Sequence, residues 1–151
     1  MKKPRNFRRR PSLSALPTNT EPEQRAMKLF TIPEANALLP SVRTIVGKIQ
    51  RAHRNVSRYR DEVKKAAEAA ERGGGGVSAG VSYAQALTVL TGKINELEAL
   101  GVQLKDFERG LVDFPSLRDG RVVLLCWQMG EGDELEWWHD LDAGFAGRTP
   151  L

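Results

Sequence analysis

The side chains best suited to chemistry lie close together near the C-terminal end of the chain. An imidazole, three carboxylates and a guanidinium occur there, and the candidate ligand-binding residues are Glu136, His139, Asp140, Asp142 and Arg148. Imidazole and carboxylate groups bind Zn²⁺, Mn²⁺ or Fe²⁺, and a guanidinium can bind a carboxylate or phosphate through two parallel hydrogen bonds. Any metal or small-ligand site is therefore expected in the terminal strand and the DAGFAGR segment that follows it.

A metal site needs its ligands on one face of a sheet. An Asp-Gly pair at 119–120 predicts a two-residue hairpin turn, and a second turn centred on Glu131 fixes the register of the next strand. In that register His139 and Asp113 point to opposite faces, because side chains alternate along a strand. We therefore predict no cofactor and no metal, with His139 as a core residue bonded to backbone. The alternative is a metal held by His139 and Asp142, since Asp142 lies beyond the strand end.

Other catalytic arrangements are not indicated, and no catalytic residue is assigned. Cys126 is the only cysteine and has no base nearby in sequence, which favours a buried strand residue. His53 stands among arginines and is expected on the exposed side of a helix. Arg148 either binds an anion or anchors the C-terminal segment by pairing with Glu136 or Asp140. Whether the protein is an enzyme stays open.

Two helices are predicted ahead of the sheet. Thr31 and Glu34 form a capping box at the start of a short helix, which Pro40 should end before a longer helix begins. The longer helix carries an apolar seam at heptad spacing, typical of a coiled coil. The seam positions are Val42, Ile45, Ile49, Ala52, Val56, Tyr59, Val63, Ala66 and Ala70.

The four glycines from Gly73 to Gly76 predict a flexible reversal into a second helix that ends at Gly101. Its apolar positions are Tyr83, Leu87, Leu90, Ile94 and Leu97. The two helices should form an antiparallel hairpin. Because the second helix is shorter, part of the first helix's seam is expected to lack a partner in the chain and to form a homodimer.

After Gly101 the apolar period changes to two, which is typical of strands. The turn signals predict an antiparallel meander of three to four strands, so the fold class is α+β. One face of the sheet is predicted to lie on the helices and to carry Val112, Phe114, Val123, Leu125, Trp127, Leu135, Trp137 and His139. The opposite face is predicted to carry Asp113, Val122, Leu124, Cys126, Glu136, Trp138 and Asp140.

The basic character of the chain belongs to its first residues. The net charge is +4, yet residues 1–26 carry seven basic and two acidic side chains, a balance of +5. We predict that residues 1–26 form a disordered tail that binds nucleic acid at most non-specifically, and that 27–151 is a single domain. No apolar run is long enough to cross a membrane, and the single cysteine favours a reduced, cytoplasmic setting.

Three segments carry a resemblance to a known family: FTIPEANALLP, LKDFERGLVDFPSLRDGRVVLLCW and WWHDLDAGFAGR. They resemble the bacterial domain of unknown function 2203 family over Met27 to Leu151. The resemblance implies a small cytoplasmic protein and brings no reaction, cofactor or catalytic residue with it. Our leading functional hypothesis is a self-associating interaction or scaffold module. The alternative is a metal- or small-ligand-binding domain, and an enzyme is one form that such a domain can take.

Overall fold

The computed structural model describes residues 27–73 and 77–151, which form two helices followed by an antiparallel sheet. The helices are α1 (Ile32–Ala70) and α2 (Val77–Ala99). The strands are β1 (Gln103–Asp106), β2 (Leu111–Arg118), β3 (Arg121–Gln128), β4 (Trp137–Asp140) and β5 (Thr149–Pro150), with a short 3-10 helix at Phe145–Gly147. Each strand pairs with the next along the chain, in the order β1-β2-β3-β4-β5. The predicted α+β class is confirmed, but the sheet has five strands instead of three to four. The predictions for the tail and for the centre of the glycine reversal fall outside the described residues.

The capping box at the start of α1 is confirmed. The Glu34 backbone N–H donates to the Thr31 hydroxyl at 3.3 Å, and the Thr31 N–H donates to the Glu34 carboxylate at 2.8 Å. The predicted break at Pro40 is wrong, because α1 runs through it. Leu39 and Val42, on either side of the proline, are fully buried. Burial of this half of α1 offsets the cost of about 3 kcal/mol for a proline inside a helix.

Different parts of the apolar seam of α1 are buried by different partners, namely the sheet and α2. Val42 and Ile49 belong to the same core cluster as residues of β2 and β3, and Leu90 and Leu97 of α2 join that cluster. The first half of α1 therefore shares the core with the sheet and has a partner within the chain. An unpartnered seam in the rest of α1 stays a prediction. Towards the far end of the helix pair the seam becomes only half-buried, as at Val56.

The hairpin between β2 and β3 has the predicted register. Asp119 and Gly120 form its turn with φ angles of 51° and 75°, a left-handed pair that Asp-Gly adopts readily. As a result Asp113 lies opposite Cys126.

The predicted register between β3 and β4 is wrong by one residue. Cys126 lies opposite Trp137 and Leu124 opposite His139, whereas the prediction placed Leu125 opposite Trp137. The connection to β4 begins with a turn in which the Glu131 N–H donates to the Gln128 carbonyl at 3.0 Å, and the residues after this turn are held on α1. The Leu135 N–H donates to the Asn36 side chain at 2.8 Å. A shift of one residue turns every β4 side chain to the other face.

The sheet consequently has two buried faces of different character. The face on the helices, called here the helix face, carries Leu104, Val112, Phe114, Val123, Leu125, Trp127 and Trp138. The opposite face, called the outer face, carries Asp113, Leu124, Cys126, Trp137 and His139. Trp137 and His139 thus lie on the outer face and Trp138 on the helix face, the reverse of the prediction. Neither α1 nor α2, as far as they are described, is long and apolar enough to cross a membrane.

Candidate metal centre

Three potential metal ligands from three neighbouring strands meet on the outer face. Asp113 of β2, Cys126 of β3 and His139 of β4 each offer one ligand atom, and these atoms all lie within 4.8 Å of one another. The three residues are 1%, 0% and 4% exposed. Charged residues are almost never fully buried unless they are paired or bind a metal, so a buried aspartate beside a histidine and a cysteine needs a specific reason.

His139 is oriented by a hydrogen bond on the far side of its ring. Its Nδ1 lies 2.8 Å from the carbonyl oxygen of Asp140, so Nδ1 carries a proton and donates. The Nε2 atom then faces Oδ1 of Asp113 at 3.3 Å. A neutral imidazole in this tautomer and an ionised carboxylate would present only acceptors to each other. A proton or a metal cation between them turns this contact into an attraction.

The thiol of Cys126 is electrostatically disfavoured from ionising. Burial, and after it the negative charge of Asp113, raises the pKa of Cys126 to about 12, although Arg148 acts in the opposite direction. Cys126 is therefore a protonated thiol at neutral pH when no cation is bound. A coordinating metal ion reverses this preference, since a thiol bound to such an ion is deprotonated.

Arg148 closes the cluster from the C-terminal side. Its side chain is only 10% exposed and forms two hydrogen bonds to the Glu131 carboxylate, at 2.6 and 2.9 Å. A further Nη2–H donates to the carbonyl oxygen of Cys126 at 3.4 Å. The guanidinium lies over the rings of Phe145 and Trp137, at 4.6 and 5.4 Å from their centres. Burial lowers the pKa of Arg148, but the bonds to Glu131 outweigh it and raise the pKa overall.

Some polar groups beside the cluster have hydrogen-bond partners, and two buried ones have none among the described residues. Glu131 accepts a further hydrogen bond from the Gln128 N–H at 2.8 Å. However, Gln128 Oε1 and Arg148 Nε are buried and have no hydrogen-bond partner among the described residues. Gln128 shares a face with Cys126, two residues before it on β3. The outer face therefore holds buried donors and acceptors beyond those that the protein itself satisfies, which is uncommon in a region serving only as packing.

Two of the five predicted site residues lie at the cluster, namely His139 and Arg148. Glu136 and Asp142 are exposed, and Asp142 belongs to no potential metal-binding group among residues 27–73 and 77–151. Asp140 points to the helix face and pairs with Arg121 at 2.9 Å. The predicted ion pair of Arg148 with Glu136 or Asp140 is wrong, since its partner is Glu131.

The prediction that His139 and Asp113 lie on opposite faces is also wrong, because the register between β3 and β4 differs by one residue. The same shift brings an imidazole to Cys126, for which no nearby base was expected. The two missed residues, Asp113 and Cys126, were correctly placed opposite each other. The available signal was an aspartate within the apolar sequence LVDFPS of a strand that is buried on both faces.

Apart from Arg148, Lys105 is the one charged side chain among the described residues that lies within ion-pair distance of the three ligands. Lys105 of β1 lies 3.9 Å from Oδ2 of Asp113, and its side chain is partly exposed. This distance and exposure make it a weak partner for a fully buried carboxylate. The negative charge of Asp113 is therefore compensated mainly by the proton or metal cation that lies between Asp113 and His139.

Comparison with known proteins agrees with the resemblance seen in the sequence. Residues 28–151 match the family described as "Uncharacterized conserved protein (DUF2203)". The chain belongs to this family. The match spans α1, α2 and the whole sheet, and it includes all three residues of the cluster. Searches of curated proteins and of solved structures gave no match.

Proposed function

We propose that this protein binds a divalent transition-metal ion of the zinc type through Asp113, Cys126 and His139. The observation that carries the proposal is the convergence of three buried ligand atoms within 4.8 Å, on three neighbouring strands. Strands are rigid supports, and buried ligands need little reorganisation to accept an ion. The proposal takes up the metal-binding alternative of the sequence analysis with a different set of ligands.

The contact between His139 and Asp113 has the dimensions of a tetrahedral metal site. Zinc binds histidine nitrogen and carboxylate oxygen at about 2.0 Å, and a tetrahedral angle then separates the two ligand atoms by about 3.3 Å. The Nε2 and Oδ1 atoms are 3.3 Å apart. The backbone carbonyl that accepts from Nδ1 is the kind of outer partner that fixes metal-binding histidines.

The ligand types determine the class of metal. A thiolate with an imidazole selects Zn²⁺ or a similar ion over Mg²⁺ and Ca²⁺, which prefer oxygen ligands. Three protein ligands leave a fourth tetrahedral position for water or a bound anion, as in catalytic zinc sites. Arg148 places a guanidinium beside the cluster. A free thiol as ligand also supports the cytoplasmic setting inferred from the sequence.

Metal titration of the full chain tests the proposal. After chelation, one equivalent of Zn²⁺ should raise the melting temperature, and one equivalent of Co²⁺ should give the absorption of a cobalt–thiolate bond. An ion at 100 times its dissociation constant stabilises the fold by about 2.7 kcal/mol. His139→Ala, Cys126→Ser and Asp113→Asn should each abolish both signals.

Matched substitutions elsewhere serve as controls. His53→Ala removes the second histidine, whose ring stacks on Phe107 at 5.0 Å and which belongs to no potential metal-binding group among the described residues. Asp142→Asn tests the alternative pair with His139. Both variants should retain the full metal response. If wild-type protein shows neither a rise in melting temperature nor bound metal by native mass spectrometry, the cluster is a buried hydrogen-bonded charge pair and the proposal is wrong.

We propose as a second function that the helix pair self-associates into a coiled-coil-like homodimer. The observation in favour is that residues 77–92 contain no charged side chain. Two large apolar side chains of this stretch, Val81 and Val89, lie about two turns apart on the same side of α2 and are exposed. Uncharged, apolar helix surface of this kind is typical of interfaces.

The dimer is tested by sedimentation of wild type and two variants. Val89→Glu introduces a charge on the uncharged surface and should shift the protein towards monomer. Ala99→Glu introduces the same charge at an exposed position at the other end of α2, next to Glu98. This variant should leave the association state unchanged. A wild-type monomer at high micromolar concentration would contradict this second proposal without affecting the metal site.

A further inference from the structure

A second concave site lies on the helix face, on the opposite side of the sheet from the proposed metal centre. It is a cleft of about 590 Å³ between the start of α1 and the ends of β2 and β3. Val123 and Leu125 form part of its lining, next to the buried Ser116. The helices cover the helix face only as far as this cleft. Its volume falls in the range of about 300–1,000 Å³ that is common for small-ligand sites.

The walls of the cleft are apolar side chains that remain exposed. Leu29 comes from the segment that leads into α1, Ile32 is the first residue of α1, and Leu151 comes from the end of the chain. Isolated exposed apolar residues are ordinary on a protein surface, but a group of them around one concavity marks a binding surface. The lining favours a ligand with a substantial hydrocarbon part.

The charge at the rim indicates the other end of the ligand. Arg118 lines the cleft and lies over the Trp138 ring, 4.6 Å from its centre. No carboxylate of the described residues lies within ion-pair distance of Arg118, whereas the neighbouring Arg121 is held by Asp140 at 2.9 Å. The indole Nε1 of Trp138 is buried and also has no acceptor in the described part of the chain. A cation without a carboxylate partner therefore stands beside an apolar cleft.

We propose that this cleft binds a single-chain amphiphile with an anionic headgroup, of the fatty-acid class. The hydrocarbon chain lies between Leu29 and Ile32 over Val123, and the carboxylate pairs with Arg118. The site is separate from the three metal ligands, so binding needs no metal.

Titration of the full chain with dodecanoate, below the concentration at which it forms micelles, tests the site. Dodecyltrimethylammonium has the same hydrocarbon chain with a cationic headgroup and serves as the matched ligand. We expect saturable binding of dodecanoate, and weaker binding of the cation by roughly tenfold or more, since a charge pair at a partly buried site is replaced by repulsion.

Two substitutions should separate the apolar and the ionic parts of the interaction. Ile32→Asp should weaken dodecanoate binding by roughly tenfold or more, because burial of an isoleucine contributes at least that factor. Arg118→Gln should remove the preference for dodecanoate over the cation. The controls are Leu141→Asp, at an exposed leucine outside the cleft, and Arg58→Gln, an arginine that lies over Tyr59 at the same 4.6 Å.

The proposal is wrong if dodecanoate does not bind at sub-micellar concentration, or if both cleft variants bind it as wild type does. It is also wrong if Ile32→Asp converts an oligomer into a monomer in sedimentation, since the cleft would then be an interface between copies. Failure of the metal titration would leave this result unaffected, because the two sites share no residue.

Discussion

The two faces of the sheet are equally buried but are built from different chemistry. The helix face is continuous with the apolar core of α1 and α2, and its largest members, Phe114 and Trp127, are almost fully buried. The outer face buries an aspartate, a thiol and an imidazole at the same depth, beneath the ion pair of Arg148 and Glu131. Burial alone therefore does not distinguish a structural face from a functional one. The difference lies in the kind of group that is buried: apolar and aromatic side chains on the helix face, and ionisable side chains able to bind a metal on the outer face.

The largest expected effect belongs to the helix face. Phe114→Ala should lower the free energy of unfolding by about 3–5 kcal/mol, because it leaves a cavity at the centre of the core. The response to Zn²⁺ should persist at temperatures where the variant remains folded, since Phe114 points away from the cluster. Chemical denaturation with and without Zn²⁺ measures both quantities. Loss of the metal response in a folded Phe114→Ala protein would show that the two faces are not independent.

The next effect concerns the ion pair that covers the outer face. Arg148→Met leaves the Glu131 carboxylate without its partner in a largely buried setting, which should cost about 1–3 kcal/mol. Arg121→Met removes an arginine from a pair with Asp140 in which both side chains are about half exposed, and should cost less than about 1 kcal/mol. Equal losses in the two variants would mean that Arg148 is no better shielded from water than Arg121.

Cys126 should make the stability of the metal-free protein depend on alkaline pH. Burial raises the pKa of its thiol to about 12 from 9.0, so the unfolded chain loses this proton at lower pH than the folded protein. The contribution is complete below about pH 9 and is lost as the pH rises towards 12. Relative to its value below pH 9, the free energy of unfolding should fall by about 2 kcal/mol at pH 10.5 through this group.

Comparison of wild type with Cys126→Ala in urea, from pH 8 to 10.5, isolates this contribution from that of other groups. Wild-type stability should fall more steeply with pH than that of the variant. Saturating Zn²⁺ should flatten the wild-type slope, since a bound thiol has already lost its proton. Parallel slopes in the metal-free proteins would contradict the assigned environment of Cys126.

The smallest expected effect is that of Lys105, the cation nearest to Asp113. Lys105→Met should change the free energy of unfolding by less than about 1 kcal/mol, because the side chain is partly exposed and 3.9 Å away. Its removal should raise zinc affinity a few-fold, since a positive charge then no longer competes with the ion for Asp113. Competition with a metal indicator dye measures the affinity, and a decrease would mean that Lys105 supports the site.

Local patterns predicted those parts of the fold that depend on local interactions. The Thr31 capping box needs only residues within one helical turn, and the Asp-Gly turn at 119–120 fixes its own hairpin. The helix break at Pro40 was predicted wrongly because tertiary burial of Leu39 and Val42 outweighs a local penalty. The short β5 has too few residues to show any period, and it exists through pairing with β4.

The candidate site depended on the one connection that local reasoning could not resolve. Residues 129–136 are shaped by contacts with α1, where Arg43 pairs with Asp133 at 2.9 Å and donates to the Gly132 carbonyl at the same distance. No turn motif in the sequence encodes those contacts. The resulting shift of one residue decides whether His139 joins Asp113 and Cys126 or the apolar core.

Because the three tryptophans are divided between the two faces of the sheet, tryptophan fluorescence can report on each face separately. Trp137 lies opposite Cys126 and beneath the Arg148 guanidinium, whereas Trp127 and Trp138 belong to the helix face. Indole emission depends on neighbouring charges and on access of water. In a protein that retains only Trp137, fluorescence would follow events at the outer face alone. Retaining only Trp127 would give a signal for the loss of the core, so that ligand binding and unfolding could be followed separately in one scaffold.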